Sequence, residues 1–204
     1  MQYADYAHGA EYDWNNKLVP FHWPTDGRYL YVASPSKVSG CCWIGWYQLL
    51  VRLNLENGQQ TEVVRTETPM TMNFSVSPSD RYFLYIRQDG KDKLVILDLL
   101  TYSRRVIELE FGHSAGAGYA VMSDNDEKIA LMQREYPAEF QGDLTFGSIV
   151  VIDLVTGTQR QLLSGREYWD TPRPVRWADE AHVLLRGDDG DLLLDVNTAE
   201  LTPG

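Results

Sequence analysis

The sharpest chemical signal in the chain is Gly112-His113-Ser114-Ala115-Gly116, the Gly-x-Ser-x-Gly spacing that can expose a nucleophilic serine on a strained turn. That chemistry needs a helix directly after the serine, and an acid and a histidine farther along the chain. His182 is the single later histidine, and Ser114 is followed by Ala115-Gly116-Ala117-Gly118, which leaves no room for the helix before the next apolar segment. Nor do strand and helix patterns alternate as that architecture demands. The expectation is a glycine-rich loop at Ser114 and no catalytic residue. Hydrolysis by Ser114 is kept as the last of three functional readings.

Two acidic clusters invite a metal reading: Asp124, Asp126 and Glu127, and Asp188, Asp189 and Asp191. Calcium takes six or more oxygen ligands, and neither cluster has the spacing of a calcium loop with its distant glutamate. Both fall in turns that a repeat, described below, already explains. The histidines (His8, His22, His113, His182) are scattered, and Cys41 and Cys42 are adjacent, so zinc-ligand spacing is absent. Neighbouring cysteines close no useful loop and lack redox-motif spacing. No phosphate-cradling glycine loop is present. No metal and no cofactor are expected.

Bulk charge narrows the partner. The 204 residues carry a net charge of −11, which argues against nucleic acid, because phosphate binding draws on clustered Lys and Arg. An acidic surface instead steers a basic protein inward, although it also serves solubility. No apolar run is long enough to span a bilayer, so no membrane role is expected. Residues 1–16 have no basic start followed by an apolar core, and no disulfide framework exists; together these point to a cytoplasmic protein.

The elements that would position any site come from self-similarity. An apolar pair, a turn carrying Asp, a β-branched and aromatic run, and a second apolar run ending near Asp-Leu recur four times. The turn aspartates are Asp26, Asp80, Asp126 and Asp179, at intervals of about 50 residues. Asp and Asn bond their own backbone, Pro presets φ, and Gly supplies positive φ, so these are turns with a mechanism. The runs between them are short and rich in Val, Ile, Tyr and Leu, which reads as strand. Each unit is strand, tight turn, strand, variable loop, strand, tight turn, strand, and such units in series predict propeller blades.

At Pro24-Thr25-Asp26-Gly27-Arg28, Ser77-Pro78-Ser79-Asp80-Arg81 and Ile152-Asp153-Leu154-Val155-Thr156-Gly157 the chain resembles the WD40-like (TolB-type, PD40) propeller repeat, also found in the noncatalytic propellers of prolyl oligopeptidases. The resemblance covers roughly residues 19–203, and no copy of the motif is complete. It implies an all-β, β-propeller-like fold of four four-stranded antiparallel blades, at about 19–66, 67–110, 111–164 and 165–204. Residues 1–18 precede this domain. Little sequence follows Val196, so the outermost strand of the last blade must be short or come from elsewhere; residues 1–12 could supply it and close the ring. The alternatives are an arc completed by a second copy, as a homodimer, or a fragment of a longer propeller.

The variable loops are long in the first and third units (33–46 and 134–147) and short in the second and fourth (88–93 and 187–191). With the connections between units they emerge on one face. That face carries Trp43, Trp46, His113, Tyr136, Phe140, Tyr168, Trp169 and Asp170, the candidate binding residues. Aromatic residues in loops on a rigid scaffold serve recognition more often than those in strands. Trp23 and Trp177 hold equivalent first-strand positions and read as core. The leading functional reading is a non-enzymatic protein-binding module, specifically an inhibitor or immunity-type protein that neutralises a basic toxin or enzyme. The second is a small-molecule or glycan-binding propeller.

Overall fold

The structure is a computed structural model, and it describes residues 19–35, 47–70, 75–89, 91–113, 120–135 and 146–204. It is all-β. Sheet one contains β1 (Val19–His22), β2 (Tyr29–Pro35), β3 (Tyr47–Asn54) and β4 (Gln60–Met70), in that order across the sheet. Sheet two repeats the order with β5 (Ser75–Val76), β6 (Tyr82–Asp89), β7 (Lys91–Asp98) and β8 (Arg104–Glu108). Sheet three holds β10 (Ala120–Met122), β11 (Lys128–Glu135), β12 (Phe146–Asp153) and β13 (Gln159–Glu167), with the short β9 (Gly112–His113) added beside β11. Sheet four is β14 (Arg173–Trp177), β15 (His182–Gly187), β16 (Gly190–Asp195) and β17 (Leu201–Pro203). All pairings are antiparallel between sequence neighbours, apart from the added β9. The outer position of the last sheet is therefore taken by the chain's own three-residue β17. Residues 1–12 lie outside the described residues.

The turn after the third strand is the same device in every sheet. A side-chain Oδ1 of Asn54, Asp98, Asp153 or Asp195 accepts hydrogen bonds from the amides two and three residues on. The fifth residue of each turn donates its amide back to the first carbonyl and adopts positive φ, namely Gly58, Tyr102, Gly157 and Ala199. The turns between first and second strands are less uniform than the aspartate spacing predicts. Their left-handed position is Gly27 in sheet one and Asp80 and Asp126 in the next two, all residues that tolerate this conformation. Asp26 thus sits one residue early, where its carboxylate accepts from the Arg28 amide. In sheet four the turn is one residue shorter, with Ala178 donating to the His182 carbonyl, and Asp179 accepts from the amides of Ala181 and His182. The four aspartates share a sequence pattern, but only Asp80 and Asp126 share a backbone position.

The sheets stack face to face in chain order, because strand alternation gives each two apolar faces. Tyr31, Leu50 and Val64 of sheet one meet Phe83, Tyr85, Val95 and Leu97 of sheet two. The other face of sheet two, with Leu84, Ile86, Leu94 and Ile96, meets Ile129, Leu131, Val150 and Ile152. Ala130, Met132, Ile149 and Val151 then meet Trp177, Val183, Leu185 and Leu194. A further cluster of Leu30, Val32, Leu49 and Val51 lies on the remaining face of sheet one. Among the described residues no apolar cluster joins sheet four back to sheet one.

Polar links follow the same order. Thr25 donates its amide (2.8 Å) and hydroxyl (2.6 Å) to Asp80 Oδ2, and His22 Nε2 lies 2.8 Å from Asp80 Oδ1, tying sheet one to sheet two. Ser79 donates to Asp126, and Ser75 to the Ala120 carbonyl. Lys128 Nζ donates to the Glu180 carbonyl, and Trp177 Nε1 to that of Val121.

Two positions depart from the repeat. Trp23, expected in the core with Trp177, is 62% exposed, whereas Trp177 is 4% exposed. Trp177 is covered because sheet three stands in front of it; no described sheet precedes sheet one. On the far face of sheet four, the cross-strand pair Arg186 and Asp191 forms an ion pair (2.9 Å) at the register where sheets two and three place Ile86 with Leu94 and Met132 with Ile149.

Candidate functional site

The antiparallel order sends the first and third turns of every sheet to one end. The second connections and the links between sheets go to the other, the loop end. There the strands run farther than the sequence predicts. Arg134 and Glu135 belong to β11 and Phe146 and Gly147 to β12, so strand takes up both ends of the expected 134–147 loop. Likewise β2 reaches Pro35, and β6 and β7 extend to Asp89 and back from Lys91.

The described part of this end is organised on Arg134. Its backbone pairs with that of His113 in β9. Its guanidinium lies 4.4 Å from the ring centroid of Tyr168, a stacked cation–π geometry. Tyr168, Trp169 and Asp170 form a single 3-10 turn between β13 and β14. Tyr168 is 3% exposed and anchors the turn; Trp169 packs edge-on against it at 5.1 Å yet is 69% exposed. Thr171 closes the turn, its hydroxyl donating to the Glu167 carbonyl and its amide to that of Tyr168. Opposite it Gly147 has no side chain, and a Cβ there would lie 2.2 Å from Thr171 Oγ1. The absence of a side chain at Gly147 is what lets the turn seat on β12.

Of the eight candidate binding residues, Tyr168 stacks on Arg134, Trp169 and Asp170 share the turn that Tyr168 anchors, and the backbone of His113 pairs with that of Arg134. Tyr168 supports from inside, while Trp169 and Asp170 face solvent. Trp43, Trp46, Tyr136 and Phe140 lie outside the described residues, as does Ser114. Arg134 and Gly147 were missed as site residues, since both read as loop; a β-strand reaching Glu135 is the signal that would have placed them.

At the turn end a cleft of about 450 Å³ opens between sheets two and three, floored by Ile96, Met122 and Leu154. Several of its polar groups are partnered within the chain. Arg81 binds Asp98 Oδ2 through Nε and Nη2, Arg105 donates to the Leu154 carbonyl, Asp126 accepts from Ser79, and Glu127 accepts from Asn125. Burial raises the Asp98 carboxyl, but the Thr101 and Leu100 amides and Arg81 bring it below the usual carboxylate range. This is the pattern of a structural seam. Among the described residues no group of three His, Cys, Asp or Glu side chains is placed to hold a metal ion, and no helix is long and apolar enough to cross a membrane.

A different polar feature lies where the loop end meets the same inter-sheet seam. Gln133 and Ser148, paired across β11 and β12, are both fully buried. Neither Oε1 nor Nε2 of Gln133, nor Ser148 Oγ, has a hydrogen-bond partner.

No protein-family model and no curated protein matches the sequence. Solved structures do match in shape. A putative TolB from Agrobacterium tumefaciens is 15% identical over 91% of this chain and 60% of its own, with a TM-score of 0.60. An oligogalacturonate lyase in complex with manganese is 17% identical over 87% of this chain and 49% of its own, with a TM-score of 0.59. The acylaminoacyl peptidase of Pyrococcus horikoshii is 12% identical over 93% of this chain and 32% of its own, also at 0.59. The chain spans about half the length of the lyase and less of the peptidase. At these identities the likeness is one of fold: a TolB-type β-propeller built of four-stranded blades.

Proposed function

We propose that this chain is a non-catalytic binding module that docks a protein partner at its loop end. The observation that carries the reading is Trp169, a large aromatic side chain held out in solvent on a turn whose other members are clamped by Arg134, Gly147 and the buried Tyr168. An anchor fixed before contact loses little side-chain freedom on binding, which is how a few residues come to dominate an interface. Asp170 beside it, and the net charge of −11, favour a basic partner. An inhibitor or immunity-type role against a basic toxin or enzyme fits a small acidic module of this kind. The test is affinity capture from the native source with wild-type and Trp169→Ala baits, followed by calorimetric titration of the captured protein. Loss of about 2 kcal/mol, roughly thirtyfold in affinity, is expected for the variant. Equal binding by both baits refutes the docking surface.

A further inference from the structure

We propose that the turn-end cleft between sheets two and three is a second site, for a small zwitterion with an apolar body: a free amino acid with an aromatic or branched side chain. The cleft follows from the residue that precedes the first turn of each sheet. At the seam between sheets three and four that residue is Trp177, whose buried ring fills the space. Met122 holds the same position one seam earlier and leaves a volume of about 450 Å³ above Ile96, Met122 and Leu154. That volume is in the range of small-molecule sites, and a thioether packs well on an aromatic ring. At the seam between sheets one and two, the counterparts of Met122 and Ile96 are Val76 and Arg52. The Arg52 guanidinium lies 4.6 Å from the Tyr29 ring centroid there, so a cation stands where the apolar floor would be.

The polar rim departs from the repeat as well. The residue whose carbonyl accepts from the turn after the third strand is Arg28, Arg81, Glu127 and Ala181 in the four sheets. Arg28 and Arg81 bind Asp26 and Asp98. Glu127 reverses the charge: its Oε2 accepts from Asn125, and among the described residues it forms no ion pair. Across the cleft, Arg105 faces sheet three by its register with Ile96, while Arg104 turns toward sheet one with Leu97. Arg105 donates once, to the Leu154 carbonyl at 2.6 Å, and among the described residues its guanidinium meets no carboxylate. The other donors of the fork are left for a ligand. Its counterparts are Thr61 in sheet one, Thr202 in sheet four and Arg160 in sheet three, and Arg160 stands at the seam that Trp177 fills. A guanidinium and a carboxylate without ion-pair partners thus share one apolar cleft. An anion alone is drawn to Arg105 and repelled by Asp126 and Glu127, and a cation alone meets the reverse. An amino acid satisfies both, with its carboxylate on Arg105, its ammonium on Glu127 beside Asp126, and its side chain on the floor. The pair of Arg81 and Asp98 closes the seam and takes no part.

This site lies at the opposite end of the sheets from Trp169, and neither reading depends on the other. It is tested by calorimetric titration of the full chain with L-phenylalanine, N-acetyl-L-phenylalanine and L-phenylalaninamide. Saturable heat is expected with the free amino acid, and binding at least about fivefold weaker for each capped form. Arg105→Gln should weaken the free amino acid by a similar factor yet bind the amide as the wild type does, because variant and cap delete the same contact. Glu127→Gln should show the same relation with the acetylated form. The capped ligands test the unaltered chain, so they decide the matter should Arg105→Gln fail to fold. No saturable heat up to about 10 mM, undiminished binding of either capped form, or variants that weaken all three ligands equally would each overturn the proposal.

Discussion

Trp23 and Trp177 each immediately precede the first turn of their sheet, yet Trp177 is enclosed by the sheet in front of it while Trp23 projects into solvent. One residue type in one repeat position thus has two energetic roles. Trp177 fills the seam between sheets three and four and donates its indole N–H to the Val121 carbonyl at 3.0 Å. Trp177→Ala should cost about 3–5 kcal/mol, the range for deleting a large buried aromatic. Trp23→Ala should cost less than about 1 kcal/mol. Urea denaturation of the two variants reads the difference, and comparable losses would contradict the packing described.

Asp80 is predicted to be an acid-sensitive fastener between sheets one and two. Burial raises its carboxyl, but the hydrogen bonds from Thr25 and the contact with His22 outweigh this and hold it below the usual carboxylate range. A carboxyl depressed in the folded state contributes stability that is complete above its unfolded value, about pH 3.9, and is lost as pH falls through the folded value. Melting temperature should therefore decline below about pH 4. Asp80→Asn tolerates the left-handed backbone but carries no titrating charge, so its acid limb should be shallower than that of the wild type and its neutral-pH stability lower.

The turns after the third strands offer a gain. Ala199 and Tyr102 occupy positive φ (62° and 59°) where the other two sheets have glycine. Ala199→Gly should raise stability by about 1 kcal/mol, since a left-handed Cβ costs about that much. In a chain of this size that corresponds to a rise of about 2–4 °C in melting temperature. An unchanged or lower midpoint would mean that the turn carries no such strain.

Gly147 tests how the Trp169 turn is held. A methyl group at this position collides with the Thr171 side chain, and overpacking of this kind costs about 1–3 kcal/mol. Gly147→Ala should shift the turn, weaken partner binding and alter the near-ultraviolet signal of Trp169. Trp169→Ala should weaken binding while leaving stability within about 0.5 kcal/mol of wild type.

The blades were legible because their turn chemistry is local. Asp98-Leu100-Thr101 and Asp153-Val155-Thr156 can be read as backbone-bonding turns without knowing what packs around them. What depends on neighbours was not legible. Asp26 and Asp80 look alike in sequence and differ by one backbone position, because glycine takes the left-handed place in the first turn. The burial of Trp23 was misjudged since it depends on a sheet in front, which no residue near it encodes. Arg134 read as loop because charged residues at a strand end resemble the start of a loop, and its aromatic partner Tyr168 is distant in sequence. Gln133 gave no signal at all, because a buried orphan is defined by what fails to meet it.

The ion pair of Arg186 and Asp191 has a consequence for how the protein behaves when concentrated. Each side chain keeps its partner and much of its hydration, at 63% and 38% exposure. Another copy approaching that side would have to strip water from two charges and gain little apolar contact in return. Runaway end-to-end polymerisation, the hazard of modular sheet proteins, is thereby discouraged at that side. Replacing the pair with isoleucine and leucine should favour association through that side, read as a rise in scattered-light mass with concentration.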